Sequence, residues 1–133
     1  MPRTDQNTRN RNCIEHMLKY CGQIEETLDA IQNDKEKFLS SHIYQNAVAM
    51  CILQLGELTK QLTPEFTAAH RQIPWSLIAK TRDNYAHHYG VVDFELVWEA
   101  AVEDIPGLAA FCRDYLEKLR IHYGFSSVHT SSI

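Results

Sequence analysis

Apolar residues recur at steps of three and four along the first quarter of the chain, from about Asn10 to Gln32. They are Ile14, Met17, Leu18, Cys21, Ile24, Leu28 and Ile31. This spacing places them on one face of an amphipathic helix. A second helical pattern extends from about Asp34 to Leu62, and its wider apolar arc predicts a central position in the fold. Its predicted core-facing residues are Phe38, Leu39, Ile43, Ala47, Met50, Cys51, Leu55, Leu58 and Leu62.

Helix start and stop signals divide the rest of the chain. Thr63-Pro64-Glu65 combines a capping hydroxyl, a proline at the first helical position and an acidic first turn. Pro74-Trp75 opens another helix, which Gly90 is predicted to end. We expect Asp93 to cap a further helix, and Asp104-Ile105-Pro106 to cap and begin the last one. No strand-like alternation is present, so the sequence predicts an all-α, up-and-down bundle of four to five helices.

Length and composition are those of one soluble domain. The 133 residues are 44% hydrophobic and carry a net charge of −4, which argues against a broad basic surface that coats nucleic acid. We assign residues 10–124 to the domain and expect 1–9 and 125–133 to be flexible tails. Because the amino terminus is polar, we expect it not to be a signal peptide, and no apolar run approaches the ~20 residues of a membrane span. We therefore expect a cytoplasmic protein without membrane association.

The four cysteines are scattered along the sequence, and no Cys-x-x-Cys pair is present. This spacing favours neither a zinc site nor a disulfide framework. Cys13, Cys21 and Cys51 occupy apolar positions of helical patterns. We expect them to be reduced thiols in the core.

Residues 81–90 contain an unusually dense set of side chains that can take part in catalysis: an arginine, an aspartate, two histidines and two tyrosines. Asp83 and His87 are four apart, which suits a carboxylate–imidazole pair. Arg82 and His87 are five apart and diverge by roughly 140° on a straight helix. They would converge if the helix loosened near Gly90, if the arginine side chain swung across, or if a second subunit completed the site.

These residue types fit chemistry on a phosphate ester. Arg82 continues an apolar line of its helix, so its guanidinium either pairs with a carboxylate such as Glu57 or awaits a phosphate. His87 is predicted to lie in the last turn of its helix near Asp83, and an imidazole there can both accept and donate a proton. A histidine that moves protons beside a fixed cation suits attack by a ribose 2′-hydroxyl on the adjacent phosphate. The alternative is that the pair is a satisfied surface or interface feature.

A metal site is not indicated by the histidines. His87 and His88 are adjacent and face different directions, without the spacing of four that helical ligand pairs use. The proposed acid–base chemistry requires no metal and no cofactor. We expect neither.

Three landmarks resemble the HEPN superfamily and, within it, the HepT-like toxins of HEPN–nucleotidyltransferase toxin–antitoxin pairs. Arg82, His87 and Tyr89 match the Arg-x4-His-x-Tyr signature of that branch, with Asp83 as the polar residue after the arginine. Leu55-Gly56-Glu57 resembles its Ile-Gly-Glu segment, and Ile73-Pro74-Trp75 resembles the Pro-Trp opening before the signature. The resemblance extends in order from about Asn10 to Leu119.

The resemblance implies a metal-independent endoribonuclease toxin that is active as a homodimer with a composite cleft. Arg82 and His87 would be catalytic, with Asp83 and Glu57 in support. The implied partner is a small nucleotidyltransferase antitoxin of the MNT type, which uses ATP to add AMP to Tyr89 and so blocks the cleft. The other interpretation is a non-catalytic helical module that docks such a nucleotidyltransferase and binds nucleotide or RNA.

Overall fold

The computed structural model describes residues 3–87 and 89–123, and it confirms the prediction of an all-α fold. A 3-10 turn, Tyr89–Val91, follows α5, and a π-helical segment, Ala100–Asp104, joins α6 to α7. None of the described helices combines the length and apolar content needed to cross a membrane. The α-helices are α1 Arg3–Ala30, α2 Lys35–Leu39, α3 His42–Gln61, α4 Pro64–Ala69, α5 Trp75–His87, α6 Phe94–Glu99 and α7 Ile105–Tyr123.

Helix α3 packs on α1, α2, α5 and α6, and so occupies the central position in the bundle that its wide apolar arc predicts. Helix α1 packs on α3 and α7. Its predicted apolar face is buried from Ile14 to Ile31, apart from Leu18, which is half-buried. α5 packs on the other side of α3. The four cysteines are free and buried, as the sequence predicts for three of them. Burial raises the pKa of both Cys21 and Cys112 to about 12, so these thiols stay protonated.

Helix α1 begins earlier than its apolar spacing predicts, at Arg3 instead of near Asn10. Asn10 is buried and holds the start of α4: its Nδ2 donates to Thr63 Oγ1, and its Oδ1 accepts from the Thr63 backbone N–H, both at 3.0 Å. Thr63 Oγ1 in turn accepts from the N–H of Phe66 as the predicted cap. The expected tail 125–133 lies outside the described residues.

The predicted central helix is interrupted near Ser40. α2 ends there, and Ser41 adopts an extended conformation before α3. The side-chain amide of Gln45 donates to the Leu39 carbonyl at 2.9 Å, which satisfies one backbone group that the break exposes. Asp34 caps α2 and Asp93 caps α6, both as predicted.

The predicted cap at Asp104 is wrong, because the chain continues from α6 through the π-helical segment into α7. Pro106 has no N–H, and its ring conflicts with the carbonyl four residues earlier. One wider turn accommodates it, in which the Ile105 N–H donates to the carbonyl of Ala100, five residues back. The result is a long helical segment with an internal bulge instead of two capped helices.

An aromatic cluster fixes where α5 begins. The Trp75 indole Nε1 donates to the His70 carbonyl at 2.9 Å, and its ring lies 6.0 Å from Phe66 and 5.7 Å from Phe111. Burial, with a smaller contribution from the charge of Lys118, lowers the pKa of His70 and favours its neutral form. The predicted Pro-Trp helix start therefore anchors α5 against α7 and orients the helix that carries Arg82.

Candidate active site

The candidate site lies where α3 crosses α5, and Gly56 makes that crossing possible. A β-carbon at Gly56 would overlap Arg82 Cβ and come within 2.8 Å of Arg82 Cγ and 3.1 Å of the Ile78 carbonyl oxygen. Only glycine has no atom in that space, so α5 lies directly against the α3 backbone. The residue that lies against Gly56 at the crossing is Arg82.

Carboxylates on both helices hold the guanidinium of Arg82. Its Nε lies 3.3 Å from Glu57 Oε2 on α3, and its Nη1 lies 3.3 Å from Asp83 Oδ1 on α5. The Arg82 side chain is 31% exposed, so it lies at the surface of the crossing and not in the core. The contact with Asp83 is a hydrogen bond from Nη1, and the contact with Glu57 is an ion pair. The predicted pairing of Arg82 with Glu57 is therefore present.

A second cation, Lys60, completes the cluster. Its Nζ forms an ion pair with Asp83 Oδ1, the same oxygen that contacts Arg82. The hydrogen bond from Lys60 holds the pKa of Asp83 below its usual value, with smaller contributions from the Lys60 charge and from Arg82. We call Glu57, Lys60, Arg82 and Asp83 the crossing cluster.

His87 lies apart from the crossing cluster. It is exposed in the last turn of α5, and α5 stays helical up to His87, so the angular separation from Arg82 persists. The predicted Asp83–His87 pair is not formed among the described residues, because Asp83 pairs with Lys60 and Arg82 instead. The chain loosens into the 3-10 turn only after His87, and the Arg82 side chain contacts Glu57 and Asp83. Among the described residues, neither a loosened helix nor a swung arginine side chain therefore brings Arg82 to His87.

The remaining polar residues of 81–90 differ in exposure and in how much of each the structure describes. Asn84 is exposed, and half-buried Tyr85 has its pKa raised to about 12 by burial and by the Asp93 charge, so it stays protonated. The backbone of Tyr89 begins the 3-10 turn that ends α5. His88 and the side chain of Tyr89 lie outside the described part of the structure.

An apolar row on α3 leads to the crossing cluster. Ile43 is 65% exposed and Met50 is 55% exposed, contrary to their predicted core positions. Residues seven apart lie nearly on one line of a helix, so Ile43, Met50 and Glu57 form one exposed row. Ala47 was also predicted to face the core and is exposed, whereas Ala49 was not and is buried. The helix is therefore correctly predicted, but its buried face is rotated from the predicted core face.

The arrangement combines the groups needed to move a proton and stabilise an oxyanion. The guanidinium of Arg82 is held by two carboxylates, and the exposed imidazole of His87 lies just over one turn further along α5. Across residues 3–87 and 89–123, no three His, Cys, Asp or Glu side chains are grouped to hold a metal ion.

Lys60 is the residue that the sequence interpretation missed. It lies three positions after Glu57 in the last turn of α3, a spacing that places both on one side of the helix. That spacing is common on solvated helices and does not by itself indicate a site. Its significance depends on the position of Asp83, which only the helix crossing reveals.

These features define a compact all-α protein whose cationic and acid–base groups lie at and beside a crossing of two helices. The chain belongs to the HepT-like ribonuclease family, whose sequence model matches residues 17–115. It is 31% identical over 108 residues to "Putative RNase TTE0752" of Caldanaerobacter subterraneus subsp. tengcongensis, covering 81% of this chain and 95% of that protein.

Two archaeal proteins are also similar. "Probable ribonuclease HepT" of Thermococcus cleftensis is 36% identical over 85 residues, which cover 64% of this chain and 74% of that protein. "Gamma-glutamylcyclotransferase and putative RNase MJ0434" of Methanocaldococcus jannaschii is 36% identical over 107 residues, which cover 80% of this chain and 47% of that longer protein. No solved structure gives a significant match.

Proposed function

We propose that this protein is a metal-independent endoribonuclease toxin whose catalytic pair is Arg82 and His87. The observation that carries the proposal is the crossing cluster, which orients Arg82 on the same helix as an exposed histidine, within a HepT-like ribonuclease chain. His87 accepts the proton of a ribose 2′-hydroxyl as O2′ attacks the adjacent phosphorus. The P–O5′ bond then breaks, the leaving 5′-oxygen takes up a proton, and a 2′,3′-cyclic phosphate remains. Arg82 stabilises the charge on the phosphoryl oxygens.

The active form in this proposal is a homodimer with a composite cleft. Within one chain, α5 is a regular helix that directs Arg82 and His87 apart. The exposed row of Ile43 and Met50 leads to Glu57 of the crossing cluster and offers an apolar surface for a second copy. Two copies that face each other across this surface would place Arg82 of one chain opposite His87 of the other.

A mixed-dimer experiment tests both the catalytic pair and the composite cleft. In the presence of EDTA, the wild type is expected to cleave RNA into products that end in a cyclic phosphate. Arg82→Ala and His87→Ala are each expected to abolish this cleavage. Mixing the two variants after unfolding and refolding should restore about one quarter of the activity, because half of the dimers are mixed and one of their two clefts is intact. No recovery on mixing would refute a cleft shared between subunits.

Matched controls separate these roles from general effects of charge removal. Arg71→Ala and His42→Ala remove an exposed arginine and an exposed histidine away from the crossing cluster and should leave cleavage unchanged.

The dimer surface is tested with substitutions at exposed apolar positions. Met50→Glu should yield monomers that do not cleave RNA, whereas Leu96→Glu, at a similarly exposed position, should leave both the dimer and cleavage intact. Light scattering measures the mass. A wild-type monomer at micromolar concentration would contradict the homodimer.

We further propose that a nucleotidyltransferase antitoxin silences the protein by transferring AMP from ATP to Tyr89. In that step the tyrosine oxygen attacks the α-phosphorus, and pyrophosphate leaves. Tyr89 lies at the end of the helix that carries Arg82 and His87, so an added phosphate would bring negative charge close to the cleft. Coexpression with an MNT-type nucleotidyltransferase should add mass in units of AMP. Tyr89→Phe should abolish the addition and Tyr85→Phe should not.

One observation favours a second function, that of a non-catalytic module that docks a nucleotidyltransferase and binds nucleotide or RNA. Glu57 and Asp83 occupy part of the Arg82 fork in the free chain, as in a purely structural ion-pair network. The two functions are distinguished by expression in cells. Slowed growth that Arg82→Ala and His87→Ala relieve supports the toxin, and equal growth of all variants supports the module.

A further inference from the structure

A groove of about 670 Å³ lies between α5 and α7, with α3 as its floor. Leu77 and Ile78 of α5 form one wall and Phe111 of α7 the other, above Ile52 and Leu55 of α3. Small residues of the π-helical segment and of α7, Ala100 and Gly107, line part of it. A β-carbon added at Gly107 would meet no atom within 4 Å.

The groove is apolar at its base and acidic along one edge. Glu103, Asp104 and Asp114 line that edge and are exposed. No lysine, arginine or histidine lines the groove, but Lys118 on α7 pairs with Asp114 at 3.0 Å. The negative charge of this edge is therefore carried mainly by Glu103 and Asp104. Leu77, at the opposite edge, is 60% exposed. An exposed apolar depression of this size is typical of an interaction site.

The groove lies on a different flank of α5 from the crossing cluster. Leu77 and Thr81 line it, whereas Asp83 contacts Lys60. At 100° per residue, Thr81 and Asp83 are displaced in opposite directions from Arg82, which faces α3. In the homodimer proposed above, which uses the cluster flank, the groove stays accessible. A second copy of the chain is therefore not the occupant that this geometry favours.

We propose that the groove binds a helical segment of a protein partner with an apolar row flanked by lysines or arginines. The apolar row would cover Leu77, Ile78 and Phe111, and the basic residues would pair with the acidic edge. Because the groove adjoins α5, the bound segment contacts the helix that carries Arg82 from the side away from the crossing cluster. That the groove stays accessible rests on the proposed homodimer, which is part of the proposed function. The apolar and acidic lining that would bind the partner does not depend on it.

The test uses the full chain and two model peptides. One is an amphipathic helix of leucine and lysine, and the other replaces every lysine with glutamate, so the apolar content is matched. The leucine–lysine peptide should bind at least about tenfold more tightly than its acidic counterpart, as measured by fluorescence anisotropy. Amide chemical-shift changes should centre on Leu77 and Gly107.

Two kinds of variant examine the groove itself. Gly107→Leu fills open space, and Asp104→Lys reverses charge at the acidic edge; each should weaken binding of the leucine–lysine peptide about tenfold or more. The matched controls are Gly22→Leu, where a β-carbon also meets nothing within 4 Å, and Glu26→Lys, an exposed acid on α1. Both should bind as the wild type does.

Three outcomes would overturn the proposal. They are equal affinity for the two peptides, shift changes away from the groove, and loss of the dimer in Gly107→Leu, which would make a second copy the occupant. RNA cleavage is measured on the same variants and should stay unchanged in Asp104→Lys. Peptide binding without any RNA cleavage would leave the groove standing and refute the ribonuclease proposal alone.

Discussion

Replacement of Gly56 by alanine tests whether close helix contact, and not only charge, positions Arg82. Alanine has the higher helix propensity, so at a free position the change should stabilise the fold by about 0.5–1 kcal/mol. At Gly56, however, Arg82 Cγ would have to retreat from 2.8 Å to at least the 3.4 Å of ordinary contact, and Ile78 must also move. Overpacking of this kind costs about 1–3 kcal/mol. We expect a net loss of about 1–2 kcal/mol.

Gly22 provides the matched control, since it is also helical and a β-carbon there meets nothing within 4 Å. Urea unfolding followed by circular dichroism should show Gly22→Ala more stable and Gly56→Ala less stable than the wild type. RNA cleavage should fall by about a hundredfold in Gly56→Ala, because Arg82 moves with its backbone. Equal stabilisation by both substitutions would refute the claim that this crossing requires glycine.

Three further predictions concern single groups. Lys60 is expected to position Arg82 through Asp83. Lys60→Met should therefore lower the cleavage rate constant about tenfold with little change in stability, and Lys60→Arg should restore the rate constant. The lowered pKa of Asp83 means that its carboxylate stabilises the fold above pH 3.8 and that this contribution is lost as pH falls through the lower folded-state pKa. Wild type and Asp83→Asn should therefore differ in urea unfolding near neutral pH and converge in acid. Cys21 and Cys112 should react with a thiol reagent only after unfolding; rapid reaction in the native protein would contradict their burial.

Most of the fold was predictable because its signals are local. The apolar period of α1 and the capping residues Asp34, Thr63 and Asp93 act within a few positions along the chain. The wrong cap at Asp104 has a physical reason, since a wider helical turn accommodates Pro106 without ending the helix.

The candidate site was predictable only in part. Residue types and spacing indicated Arg82 with Glu57, and the pair is present. They also indicated Asp83 with His87, and here a contact from another helix prevails: Lys60 is 23 positions away in sequence. Which residues meet at a crossing depends on how two helices are aligned. Here Gly56 determines that alignment, because it contacts residues of α5 that are distant in the sequence.

The crossing cluster contains two cations and two carboxylates, so its formal charges cancel. Glu57 and Asp83 act as internal counterions for Arg82 and Lys60. In the proposed ribonuclease, an RNA phosphate that binds here would displace a carboxylate more than it would release ions from solution. On single strands each neutralised phosphate ordinarily contributes about −0.7 to the slope of log affinity against log salt. The cluster should contribute less, and Glu57→Gln should steepen that slope in a salt titration of RNA binding. Built-in carboxylates would thus make recognition depend on phosphate geometry more than on net charge.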